Sequence, residues 1–394
     1  MLLLDQEGHS KEGVDSIRKI VIISETNRIN NQIAQQLRSR GLENIEIINT
    51  NFLDADSLAF SAEETLGVII DIKNETQLPK IIERIHSVIP QNVWCCVVGE
   101  SDSISLSQKF LEQGVLYFHA ETQLTQMVAR ILAGVNIPLV RHTIKISVLG
   151  CKGGIGASFI SAHIAQTIST EKKVPVLLAQ GNNGSQDLDL LFDKKIQNDV
   201  TEYSASLDLY RGMPSQLTGE TLHKYNFIIY DQPIFNVSKE DYANMLQHSN
   251  TFVLVIERKI SSLRVAKQFL DECERMRANT GRLIRTFICI SDHKQETAKL
   301  MATADIERLL KCEIDGVMPY SKRSTNSDTV NIANLDRKGQ KEVQTLAMKV
   351  IGTLSRQAAK RNKKWKCLSS KNSLNKHYYA NKRTTNILSY RITQ

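Results

Sequence analysis

Two stretches in which strand-like apolar runs alternate with helical periodicity predict an α/β protein built from two doubly wound parallel sheets. In the first, short apolar runs occur at 20–23, 45–48, 67–72, 93–98 and 115–118. Ile29, Ile33 and Leu37, and then Ile81, Ile82 and Ile85, recur between them at helical spacing. The second stretch repeats the scheme from residue 144 and carries a glycine-rich turn directly after its opening run. Strands that alternate with helices pair in parallel and are covered on both faces.

Taken in order, residues 1–16 are polar and expected to be flexible. The first domain is expected over 17–138. It opens with strand 20–23 and a helix closed by Gly41. Strands 45–48 and 67–72, a helix through Ile85, strand 93–98, a helix near 105–113, strand 115–118 and a helix at 122–134 follow. Pro138 and the turn at 141–143 mark a boundary, and the second domain is expected over 141–355. Its strands fall at 144–149, 175–178, 225–231, 252–256, 286–290 and 314–319, with loop chemistry at 180–185. A helix carries Val265, Phe269, Leu270 and Cys273. Ligands of such sheets bind at the carboxyl ends of the strands.

Composition bounds the function. Hydrophobic content of 41% and charged content of 23% are those of a soluble globular protein. No apolar run approaches the roughly 18 residues of a spanning helix, and Asp5 and Glu7 interrupt the start where a secretory signal would need a basic region. The seven cysteines form no CxxC pair, which fits reduced thiols of a cytoplasmic protein, and no His/Cys cluster has ligand spacing, which argues against a cysteine metal site. Net charge is +8, yet residues 343–394 hold 12 Lys and Arg with no acid, so the preceding chain carries −4.

The glycine turn carries the candidate chemistry. Gly150, Gly153, Gly154 and Gly156 let the main chain approach a ligand and adopt positive φ. Phe159, Ile160, Ile164 and Ile168 then recur at helical spacing, so strand, glycine loop and helix lay successive N–H groups around a phosphate. Ser158 stands where a P-loop hydroxyl holds Mg2+, but position 157, the usual lysine, is alanine. A lysine occurs instead at Lys152, near the start of the loop. Asp231 ends the apolar run 227–230, either as the acid of such a site or as the cap of a strand end.

The first domain, with five strands in about 120 residues, resembles the receiver domain of response regulators. Asp71 falls at the phosphoacceptor position, but the acidic pair is reduced to Glu25 beside Ser24. Gly99 and His119 occupy the positions of the hydroxyl residue and the lysine. Aspartyl phosphorylation needs Mg2+ held by several carboxylates and a compensating lysine, so a receiver-shaped docking module is the reading here.

Blocks at 151–156, 187–191, 225–233, 262–266 and 317–320, in that order, resemble the MinD/ParA group of deviant-Walker ATPases. With the domain fusion, the chain resembles the TadZ/CpaE family of Flp (tight-adherence, Tad) pilus assembly proteins over residues 17–340. That resemblance implies a flavodoxin-type first sheet, a P-loop domain, ATP and Mg2+ as cofactors, and a homodimer. It places Gly150, Lys152, Gly153, Gly154, Ile155, Gly156, Ala157, Ser158 and Pro319 around the nucleotide. Ser158 and Asp231 would hold Mg2+, and Lys152 and Asp231 would be catalytic. Lys152 either reaches a phosphate in the partner subunit or is a solvated loop lysine. The implied partners are the pilus-assembly secretion machinery at the inner membrane or cell pole.

The departures weaken catalysis. Losing the lysine at position 157 removes a charge pair worth at most about 4 kcal/mol, a ceiling of roughly a thousandfold in affinity. The aspartate pair of the first switch is Gln180 and Asn182, and the adenine-contacting asparagine is Ser291. Hydrolysis is therefore expected to be poor or absent, with weak nucleotide binding on the remaining backbone amides. A slow genuine ATPase is the alternative. The basic tail, 356–394, is expected to be disordered. It is open to three readings: a solvated tail, attraction to an anionic membrane surface, or nonspecific nucleic-acid binding of partition type.

Overall fold

The structure, a computed structural model, describes residues 18–55, 58–133, 142–181, 183–184, 186–196, 200–212, 216–293, 300–320 and 334–354. The expectations for residues 1–16, Pro138, Asn182 and the tail 356–394 lie outside the described residues.

The first unit comprises β1 (Lys19–Ile23), α1 (Asn27–Arg38), β2 (Ile45–Ile48), β3 (Thr65–Lys73), α2 (Leu78–Val88), β4 (Trp94–Gly99), α3 (Ile104–Glu112), β5 (Leu116–His119) and α4 (Leu124–Leu132). Its strands are all parallel, in the order β2-β1-β3-β4-β5. This is the flavodoxin-type order. The strands read as continuous apolar runs because both faces are covered. Val21, Ile23, Val68 and Ile70 join one core cluster, and Ile20, Ile22, Ile69 and Val98 join the other. Gly67 admits no side chain: a Cβ there would lie 1.9 Å from the Trp94 ring, which covers it from the neighbouring strand.

The second unit comprises β6 (Ile144–Gly150), α5 (Ala157–Lys172), β7 (Val176–Gln180), α6 (Leu188–Phe192), β8 (Thr201–Ser204), β9 (Leu207–Arg211), α7 (Gly219–Lys224), β10 (Phe227–Pro233) and α8 (Lys239–His248). It continues with β11 (Thr251–Ile256), α9 (Ile260–Thr280), β12 (Arg285–Ser291), α10 (Thr303–Leu310), β13 (Gly316–Met318) and α11 (Arg337–Val350). The sheet order is β13-β12-β11-β6-β10-β7-β9-β8. All pairings are parallel except β8 with β9. The sheet is doubly wound as expected, and the hairpin β8–β9 adds one antiparallel edge strand that the sequence did not reveal. Its outer strand is Thr-Glu-Tyr-Ser, half-exposed and polar, so it leaves no apolar run to read. No helix of the described residues is long and apolar enough to cross a membrane.

The two units meet at a buried carboxamide. Asn226, just before β10, donates through Nδ2 to the carbonyls of His86 (2.8 Å) and Ile89 (2.6 Å) at the end of α2. Its Oδ1 accepts from the Gln91 N–H at 2.9 Å. Removing this side chain orphans buried backbone groups, each costing about 1–3 kcal/mol. Asn226→Ala is expected to lower stability by about 3 kcal/mol, measured as a fall in the urea midpoint. An unchanged midpoint would mean that the junction carries no stability.

Candidate functional site

Strand β6 lies between β10 and β11, so the chain leaves the middle of the sheet at Gly150. Both neighbours fix the start of the loop. Cys151 N–H donates to the Val255 carbonyl at 3.0 Å, and the Gly150 carbonyl accepts from Ile234 N–H at 2.9 Å. Gly154 (φ +68°) and Gly156 (φ +78°) take left-handed conformations, which explains two of the four glycines. Gly150 answers to space: a Cβ there would lie 3.0 Å from the Ala157 Cβ, where the helix folds back on the strand end. Ile155 is buried in the core and pins the loop from beneath. Gly156 caps α5 without a side chain, and the first-turn N–H groups of a helix have no intrahelical acceptors. Together they form a backbone anion cradle with a positive dipole end.

Ser158 and Asp231 are brought together. Asp231 sits in β10, paired with Val148 on one side and Gln180 on the other. Its carboxylate is buried, with the side chains of Ser158, Ser161 and Gln180 in hydrogen-bonding reach, and Ser161 Oγ also donates to the Ser158 carbonyl at 2.9 Å. Burial pushes its pKa up to about 6, the nearby Asp187 carboxylate adds to the rise, and the three hydrogen bonds oppose it. Asp231 has no ion-pair partner among the described residues. A hydroxyl beside a buried carboxylate, offset only by neutral donors, is an oxygen set that suits Mg2+.

Lys152 is engaged within its own chain. Its ammonium, half-exposed, pairs with Oε1 of Glu257, a buried carboxylate just past the end of β11. Lys259 Nζ and His293 Nε2 each lie 3.9 Å from the other oxygen of Glu257. Ser291, at the end of β12, lies against the loop, its Oγ 3.8 Å from a Cβ built on Gly156. Pro319 follows β13, one strand further out, where the Met318 carbonyl accepts from Asp292 N–H at 2.9 Å.

Sequence reasoning missed three members of this mouth. Glu257 was legible as an acid following a buried strand, the same signal that singled out Asp231. Asp187, the first helix-flanking acid after the switch, influences Asp231 across the loop. Phe235 covers the cradle, its ring 3.2 Å from a Cβ built on Gly153. Gln180, read only as a lost carboxylate, is fully buried and bonded to Asp231.

In the first unit, both oxygens of Asp71 are occupied: Oδ2 accepts from Ser24 Oγ (2.6 Å) and Oδ1 from Lys73 N–H (2.9 Å). Lys73 Nζ pairs with Glu25 at 2.5 Å. No group of three or more His, Cys, Asp or Glu suited to a metal ion occurs among the described residues. Asp71 thus bonds β1 through Ser24 and the turn at the end of β3 through the Lys73 N–H.

No family model matches the sequence, and no curated protein matches it. Among solved structures, a ParA family ATPase from Chlorobium tepidum aligns at 20% identity, covering 52% of this chain and 99% of that one, with a TM-score of 0.41. The MinC:MinD cell division complex from Aquifex aeolicus aligns at 18% identity, covering 53% of this chain and 96% of that one, with a TM-score of 0.45. MinD with Mg-ADP from Pyrococcus horikoshii aligns at 15% identity over 53% of this chain and 96% of that one, with a TM-score of 0.41.

The Asp231 carboxylate gives a test of the site's electrostatics. Its folded pKa of about 6 exceeds the ordinary 3.8. Its contribution to stability is therefore fully present below pH 4 and is lost as pH rises through 6. Asp231→Asn is expected to be more stable than wild type above pH 6, by up to about 3 kcal/mol. The gap should close toward pH 4 in thermal melts. A pH-independent difference would place the carboxylate in a solvated setting.

Proposed function

We propose that the chain is a TadZ/CpaE-type positioning factor for Flp pilus assembly, a homodimer at the cytoplasmic face of the inner membrane. Its P-loop unit would bind Mg-ATP weakly and hydrolyse it poorly or not at all. The single observation that carries this reading is the contrast inside one loop. The backbone cradle and the Ser158–Asp231 pair are in place, while Ala157 leaves no cis lysine and Lys152 is bound to Glu257.

Ser158 and Asp231 are the residues that would hold Mg2+, which when bound neutralises phosphate charge. Ser158 would orient its hydroxyl toward the ion through its contact with Asp231, and Ser161 and Gln180 would hold that carboxylate in place. The α5 amides would bind phosphate oxygens. Dimerisation through the mouth of the second sheet is supported by exposed apolar side chains close to it: Leu190, Phe235 and Ile260. The first unit would dock the pilus-assembly secretion machinery. The tail, 356–394, with 11 basic residues, would attract anionic lipid, at about 1 kcal/mol per residue near the surface.

A second reading is favoured by the intact Ser158–Asp231 pair: a slow genuine ATPase whose cycle drives positioning. In it, dimer formation would draw Lys152 from Glu257 toward the partner's phosphates.

Calorimetry and a turnover assay separate the two readings. The proposed factor is expected to bind Mg-ATP at high micromolar to millimolar concentration, with no turnover above background. Fast turnover abolished by Asp231→Ala would overturn the impaired-site reading, and no binding at millimolar nucleotide would end the slow-ATPase reading. Glu257→Gln removes the charge that holds Lys152 and is expected to tighten Mg-ATP binding several-fold. Unchanged affinity would show that the pair does not compete with nucleotide.

A further inference from the structure

The opposite end of the second sheet carries a separate feature. A cleft of about 490 Å3 opens between α2 of the first unit and the amino-terminal ends of β6 and β11. That volume is in the range of small-molecule sites, which favour junctions between units. Pro79, Ile82 and Leu222 give it apolar wall, and Lys145, Arg282 and four histidines, 86, 142, 223 and 248, give it basic groups.

Among the described residues the charge there is uncompensated. The half-buried Lys145 side chain has no ion-pair or hydrogen-bond partner among the described residues, and burial lowers its pKa. His248 lines the same cleft as Lys145, and its pKa is pushed down by burial and by the Lys145 charge. Arg282 donates to the Leu246 (2.7 Å) and Gln247 (3.3 Å) carbonyls, which takes up the negative end of α8 and leaves Lys145 without relief from it. The one carboxylate of the lining, Glu83, is spent on Arg285 at 2.7 Å. A partly desolvated ammonium is costly without a counter-charge, and none of the described residues pairs with it.

We propose that this cleft binds a small organic oxyanion, phosphate- or carboxylate-bearing, with Lys145 and His248 as its principal contacts. The site is distinct from the glycine loop: Lys145 and Gly150 lie near opposite ends of β6, roughly 15–20 Å apart at the rise of a strand. Its occupant would touch both units at once and so would strengthen the junction that Asn226 makes.

The test uses the full chain carrying Lys152→Ala, which weakens the loop site, with inorganic pyrophosphate and citrate as probes in calorimetry. Saturable one-to-one binding of at least one probe is expected, weakened about tenfold or more by Lys145→Gln. His248→Gln, which spares the strand, should weaken it several-fold and serves where Lys145→Gln does not fold. Pyrophosphate alone narrows the occupant to phosphates and citrate alone to carboxylates. No saturable binding of either probe overturns the proposal. So does equal binding by the Lys145 and His248 variants, which assigns uptake to the basic tail, and so does binding that requires an intact Lys152.

Discussion

Asp231 is held almost out of water at the end of a central strand, and the geometry of the glycine loop follows from how that charge is contained. Three neutral side chains from two elements converge on it: Ser158 and Ser161 from the helix after the loop, and Gln180 from the adjacent strand. Each donation fixes a part that would otherwise be free to rotate. The first turn of α5 is thereby tied to the sheet through side chains, while the Cys151 and Gly150 backbone bonds tie the other end of the loop. The same containment is costly, because a buried carboxylate opposed only by neutral donors keeps a raised pKa. Stability given up at a strand end in this way is the common signature of a site arranged for a cation or a ligand.

Much of this was legible in the sequence because buried parallel strands announce themselves. Runs such as 20–23 and 252–256 are apolar at every position, since both faces of each sheet are covered. The glycine loop was legible because only close approach and positive φ call for glycine at this density. The hairpin β8–β9 was not, because its outer strand is polar over four positions and its partner is only five residues long. The destination of Lys152 was also hidden. It depends on Glu257, more than a hundred residues away in sequence and brought near by the pairing of β6 with β11. Side-chain pairs of that kind follow from topology, and no local pattern encodes them.

The junction between the units rests on different physics from either core. Asn226 is fully buried and fulfils its bonds with main-chain groups at the end of α2 and with Gln91. Polar specificity of this sort sets an orientation that apolar contact alone would leave to slide. It also fixes the separation across which Lys145 and α2 face each other.

The two borders of the eight-stranded sheet have a consequence for how copies of the chain can associate. One border is β13, three residues long, and the other is β8, which runs against its neighbour and shows polar, half-exposed side chains. Neither offers a long, flat row of unsatisfied main-chain groups on which another strand could be laid. Growth of the sheet from molecule to molecule is thereby discouraged, and recognition is left to side chains at the loop-bearing rim.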